Sequence, residues 1–384
     1  MQEEMEMKSG SAVRSVPAGS GNGAYESVTL RQKQQLERYL NFFSSVAFST
    51  CLLATWESAG GSLLSGLYNG GPAAIVYGII LSTVGNLAIA CSLAELASLH
   101  PTAGAQYHWS YFLAPRGRRF ISFFQGWVTV FSWSALVCIA PYFIGTQIQG
   151  MVVLAHPDYE LVRWRGTLLM WAVAIIPIII NIFARRVLGG IEVAAGIMHV
   201  VFLPVTIAVF VILAPRNPDS FVWNTFVGGL SGWKDSGVVF SIGLLGVITP
   251  LAVASCIFAL SFIQIGSTAA FNAILSLSTL GLYISYLIPL ILLVLKRFTS
   301  PQDIPQGTFS LGKFGLPMNL LAILFATYFV IFLPFPATVP VTAENMNYAG
   351  PVLGFVILFA CGDWIVRGRH KWEGPKMRSY ARNE

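Results

Sequence analysis

The sequence predicts an all-α fold, a polytopic bundle of membrane-spanning helices, and three observations predict it. The 384 residues are 55% hydrophobic and only 10% charged, with a mean hydropathy of +0.67, whereas a soluble domain carries roughly a quarter charged residues. The apolar residues gather into nine runs, most of them close to the roughly 20 residues that cross a bilayer as a helix. The lysines and arginines fall between those runs, clustered on alternate connections.

The elements follow in order. Residues 1–40 are polar, carry both signs of charge and lack the apolar core of a secretory signal, so they read as a disordered tail. Gly19-Ser-Gly-Asn-Gly23 reads as linker there, because no strand precedes it to form a phosphate loop. The apolar runs cover 43–67, 72–94, 121–153, 167–184, 191–214, 237–266, 269–295, 317–340 and 349–366, which places a membrane domain at 41–366, and a basic tail follows at 367–384. The exit from the second run is the most shaped: Ser92-Leu-Ala-Glu-Leu-Ala-Ser-Leu-His-Pro-Thr-Ala-Gly-Ala-Gln-Tyr-His-Trp109. No charge occurs from Pro72 to Leu93; Glu95 is the first, and Pro101 stops the helix. A small-residue turn, Thr102 to Ala105, leads to Tyr107, His108, Trp109 and Tyr111, rings suited to a membrane interface, and then to Arg116, Arg118 and Arg119.

Lysine and arginine placement sets the orientation. Nineteen of the 23 sit on the N-tail, the 95–120 loop, Arg185-Arg186, the 296–316 loop and the C-tail. Both tails are therefore expected in the cytoplasm, which nine full crossings would forbid. The conflict sits at 237–266, about 45 Å as one helix against a hydrocarbon core of about 30 Å. Thr249-Pro250 breaks it near the middle, so a re-entrant segment with both ends on the outer side is expected.

Composition and motifs exclude several function classes. The net charge of +6 lies in loops and tails and sets topology, so no nucleic-acid partner is expected. Cys51, Cys91, Cys138, Cys256 and Cys361 are scattered without metal or disulfide spacing. No catalytic triad, zinc motif or phosphate loop occurs, so neither an enzyme nor a cofactor is expected, and the chemistry on offer is binding and passage.

Span one is the first candidate site, with Thr55, Glu57, Ser58, Gly60 and Gly61 near mid-membrane. Consecutive glycines weaken the helix, and backbone groups freed there need a cavity or a ligand. Glu57 is an ionisable group inside the bilayer, a candidate partner for a cation or proton. The alternatives are tight packing through small residues and a structural hydrogen bond. Span six adds Gly246 and Thr249 beside Pro250, either the other half of a site or a simple kink. Glu95 is a candidate gate if it pairs with Arg116, Arg118 or Arg119, and otherwise a solvated interface carboxylate. His199 could relay protons or be an interior hydrogen-bonded histidine. Asn86, Gln125 and Asn181 are expected to bond between helices, the aromatic residues of 123–133 to face lipid or core, and Asp363 to pair with Arg367 at i+4.

The run Ala94-Glu95-Leu-Ala-Ser98 followed by Pro101-Thr-Ala-Gly-Ala-Gln-Tyr-His-Trp109 resembles the end of the second span in amino acid–polyamine–choline permeases, and within them the fungal amino acid, GABA and choline permeases. Gly66-Leu-Tyr-Asn-Gly-Gly-Pro72, Gly243-Leu-Leu-Gly246 and Ile265-Gly-Ser-Thr-Ala-Ala-Phe-Asn272 are similar to other pieces of that family. The resemblance implies a LeuT-like five-plus-five inverted repeat, alternating access around broken spans one and six, an amino acid or related amine such as GABA or choline as substrate, and protons as coupling ion. It also implies a multi-pass protein of the plasma membrane. Against that pattern the second repeat is incomplete. Leu251-Ala-Val-Ala-Ser-Cys256 runs directly into Ile257-Phe-Ala-Leu-Ser-Phe-Ile-Gln-Ile265, which is similar to the end of span nine. Roughly 120 residues, from the end of span six to the start of span nine of the family's pattern, are then absent near Ala254–Cys256. A truncated, non-transporting remnant or splice form is the rival expectation.

Overall fold

The computed structural model describes residues 66–100, 104–137, 139–215, 217–228, 230–248, 268–304, 309–336, 338–342 and 346–375, all within the unit Phe42–Glu384. Among them there is no strand. Among the described residues, seven helical stretches are long and apolar enough to cross a membrane.

Helix α1, Gly71–Leu99, opens on a left-handed pair, Gly70 at φ 94° and Gly71 at φ 72°, a backbone that glycine adopts without strain. Pro72 then occupies the first turn, where its missing N–H costs nothing. The Gly70 N–H donates to the Val227 carbonyl at 2.8 Å and the Val227 N–H returns to Gly70 at 3.2 Å, fixing where α1 starts. The helix ends at Leu99, with the His100 N–H bonded to Leu96. The interface rings that follow are carried on a nine-residue helix, α2, Ala105–Leu113, where only a turn and an aromatic belt were expected.

The expected span 121–153 divides into α3, Arg118–Leu136, and α4, Ile139–Ala155. Together they make a 38-residue apolar stretch, about 57 Å long if straight and so well beyond one hydrocarbon thickness. Helices α5, Arg163–Phe183, and α6, Arg185–Leu213, match the next two expected spans. A short α7, Asp219–Asn224, leads to α8, Ser236–Ile248, capped by Asp235, whose side chain accepts the Val238 N–H at 2.9 Å. Beyond come α9, Thr268–Thr299, α10, Gly315–Phe332, and α11, Ala349–Asp363. A π-turn, Trp364–Gly368, and a last helical turn, Arg369–Lys371, extend α11. All of span one before Gly66, and the expected hairpin beyond Ile248, lie outside the described residues.

Helix α9 is the centre of the core. Its Leu280, Tyr283, Leu287, Leu290 and Leu293 are buried at the 3–4-residue spacing of one helix face, and α3, α10, α11 and α2 pack around it. Helix α1 packs on α8 and α10 through small residues, Ala74, Gly78, Ser82, Gly85 and Ala88, which let helices approach closely where lipid offers no competing hydrophobic drive. The Phe325 ring of α10 lies directly on Gly85: a Cβ there would meet it at 2.1 Å. Helices α4, α5 and α6 run off in sequence from this core, and α6 is exposed along nearly its whole length.

Candidate functional site

The span-one residues Thr55, Glu57, Ser58, Gly60 and Gly61, and Thr249 of span six, lie outside the described residues. Gly246 falls within α8, in its last turn. What the structure does place is the packing around them. Gly243 of α8 sits against the turn that begins α1: a Cβ at Gly243 would come within 1.8 Å of the Asn69 carbonyl oxygen. Two of the short motifs singled out in the sequence, Gly66–Pro72 and Gly243–Gly246, thus meet in space.

At the basic end of the bundle Glu95 forms an ion pair, with a partner the sequence did not suggest. Arg297 of α9 donates from Nη2 to Glu95 Oε2 at 2.6 Å. Arg116, Arg118 and Arg119 do not reach Glu95. Arg116 is exposed, Arg118 lies over the Tyr111 ring at 5.1 Å, and Arg119 donates from Nε to the Trp372 carbonyl at 2.7 Å. The reason is geometric. Glu95 is on the buried face of α1, where Arg297 at the end of α9 reaches it, whereas α3 begins with its arginines turned to α2 and the end of the chain.

Around the pair the fit is close. A Cβ at Gly315 would meet Arg297 Nη2 at 2.9 Å, so a larger residue there would shift the end of the arginine that Glu95 holds. One turn further along, Asn319 is fully buried with neither side-chain amide atom bonded among the described residues. Asn319 lies four residues after Gly315 and so on the same face of α10. The Ser98 hydroxyl lies 2.7 Å from the Phe309 carbonyl and ties the loop before α10 to α1.

The exit turn carries a pH dependence. The His100 ring stacks on Phe112 at 4.5 Å, and its carbonyl accepts the Trp109 indole N–H at 2.8 Å. Burial, reinforced by Lys296, holds the His100 imidazole below its ordinary value, and burial lowers His108 as well. The unfolded chain therefore takes up protons first as pH falls through about 6.5, and stability present above that value is lost on acidification toward the lowered folded values. The detergent-solubilised chain is expected to melt at a lower temperature at about pH 5.5 than at about pH 7.5. The His100→Gln variant should flatten that slope, and an unchanged slope would remove His100 from the account.

The intramembrane polar residues largely behave as expected. Gln125 Nε2 donates to the Ser285 carbonyl at 2.6 Å, and Tyr283 OH donates to Asn86 Oδ1 at 3.0 Å, both between helices. Asn181 donates within its own helix, to Pro177 at 2.8 Å. Asp363 pairs with Arg367 at 3.1 Å. Glu192, not singled out in the sequence, is a half-buried carboxylate on α6, seven residues from His199 and on the same face. Its signal was available, since a carboxylate within an apolar run is expensive.

Comparison with known proteins extends these observations along the chain. The amino acid permease family matches residues 40–251 and 244–358. A protein of Macrophomina phaseolina named as an amino acid/polyamine transporter is 23% identical over 435 residues, taking in 79% of this chain and 96% of that protein. The choline transporter of Saccharomyces cerevisiae is 21% identical over 474 residues, 88% of this chain and 83% of its own. An amino-acid permease of Arabidopsis thaliana is 22% identical over 498 residues, 90% and 95%. Each aligned length exceeds the whole of this 384-residue chain, so those relatives have stretches with no counterpart here.

Proposed function

The chain belongs to the amino acid permease family, and from that premise we propose that it moves an amino acid or a related small amine, GABA and choline included, across the plasma membrane by alternating access coupled to protons. Permease function for amino acids or amines is the family's common property and fits the choline and amino-acid names of its relatives. The observation that carries the mechanism is the seating of Gly243 on Asn69. It joins the turn that follows span one to span six, the two spans that are broken in carriers of this kind. On this reading Thr55, Ser58, Gly60 and Gly61 present backbone to the substrate, Glu57 meets its cation or a proton, and Gly246 and Thr249 form the opposite wall. The Glu95–Arg297 pair closes the cytoplasmic exit, with both tails in the cytoplasm.

A second reading is a chain that no longer transports. It is favoured by the family match falling in two segments that meet at 244–251, and by alignments longer than the chain. Loss of the stretch from the end of span six to the start of span nine would remove part of the second repeat and a wall of the site.

Uptake of radiolabelled GABA, choline and mixed amino acids by cells displaying the 384-residue chain separates the two. Uptake above vector is expected, falling to the vector level in Glu57→Gln. Vector-level uptake with the chain at the cell surface would reject transport for this form, and normal uptake by Glu57→Gln would remove that residue from the site.

A further inference from the structure

Apart from the transport route, the chain carries an amphipathic cleft. A cavity of about 660 Å³ lies where α3 passes the start of α2 and the end of the chain's last helix. Its walls are aromatic, with Tyr107, Phe123, Trp127, Trp133 and Trp372, and Val130 on the same wall is 55% exposed, which leaves the cleft open on its outer side. From Ser122 to Trp133 the wall of α3 is about 16 Å long, about the length of half a hydrocarbon core. Arg367 and Lys371 stand at the other end, four residues apart and so on one helix face.

The basic end is fixed against the aromatic wall. Asp363 accepts both the Trp127 indole N–H and Arg367 Nη2, each at 3.1 Å. Arg119 of α3 donates to the carbonyls of Trp372 and Arg369 that close the last turn. Asp363 engages one nitrogen of a guanidinium that offers five N–H donors, and Lys371 is exposed with no acidic partner among the described residues. Lys376, Arg378 and Arg382 follow in the sequence. Among the described residues cations exceed acids at one end of a trench whose remainder is mostly apolar.

We propose that this cleft binds an anionic phospholipid of the cytoplasmic leaflet. The phosphate and its second anionic group sit between Arg367 and Lys371, and an acyl chain lies along Phe123, Gly126, Trp127, Val130 and Trp133. A soluble anion has no use for an aromatic trench of this length, and a zwitterionic lipid brings a cation to a rim that is already basic. The site stands whether or not the chain transports.

Native mass spectrometry of the full chain, released from micelles containing phosphatidylserine or phosphatidylcholine, tests it. One phosphatidylserine is expected to be retained at about tenfold lower lipid concentration than phosphatidylcholine, from the two cations together. The Arg367→Gln/Lys371→Gln variant should bring the two lipids level. A Cβ at Gly126 meets nothing within 4 Å, so Gly126→Leu should fill the trench and lose the retained lipid while melting like the parent. Equal retention of the two lipids by the parent chain would overturn the proposal, as would a preference that survives either variant. Full competition by glycerophosphoserine, which has no acyl chains, would also overturn it in favour of a soluble-anion site.

Discussion

Replacing Arg297 with alanine is expected to cost the folded chain about 3 kcal/mol. The Glu95 side chain is 6% exposed, and its ion-pair partner stands 2.6 Å away. Without Arg297 a carboxylate is left buried without its cation, and the penalty is that of the stranded charge more than the worth of the pair. The value belongs at the lower end of the range for buried pairs because the Arg297 side chain keeps 23% of its exposure. The remedy is therefore specific: Arg297→Met together with Glu95→Leu should recover most of the loss, because no charge is stranded. Melting midpoints of the parent, Arg297→Ala and the double variant in one detergent test this. If Arg297→Ala melts with the parent chain, the pair contributes nothing to stability.

Gly243→Ala is expected to do comparable damage for an unrelated reason, by overpacking rather than by charge. The added methyl would lie 1.8 Å from the Asn69 carbonyl oxygen and 3.0 Å from its carbon. These are backbone atoms that cannot swing aside, so α8 and the turn before α1 must separate. We expect a loss of about 3 kcal/mol, the upper part of the overpacking range. Gly190 and Gly150 have nothing within 4 Å of an added Cβ, and alanine there should be neutral or slightly stabilising, since glycine is the poorer helix former. Thermal melts of the three variants decide the matter: a Gly243→Ala chain as stable as Gly190→Ala would show that the contact is not made. The same displacement carries Gly246 with it, so uptake should fall further than the surviving folded fraction.

Among the described residues the spans were legible because each is a long apolar run, although the one expected at 121–153 divides into α3 and α4; span one and the end of the sixth run lie outside those residues. Residues acting within one helix were legible too, Asp363 with Arg367 among them, because four residues on a helix is a contact. The partner of Glu95 was not. Three arginines stand within 24 residues of it in the sequence, yet the one that bonds it is 202 residues away, and only the placement of α9 against α1 makes that choice. Helix α2 was hidden for another reason: its rings suit a membrane interface whether or not the backbone beneath them is helical. The roles of Gly243 and Gly315 could not be read at all, because a glycine needed for close approach is written no differently from one in a loose turn.

The contacts that close the core come from both sides of the 249–267 stretch. Glu95, Gly85 and Gln125 precede it; Arg297, Phe325 and Ser285 follow it. Each partner belongs to a helix whose own residues are untouched by the length of chain in between. Segments of different length could therefore be spliced at that point over evolutionary time while the frame that receives them stays recognisable, which makes this position a natural seam for gaining or losing helices as a block.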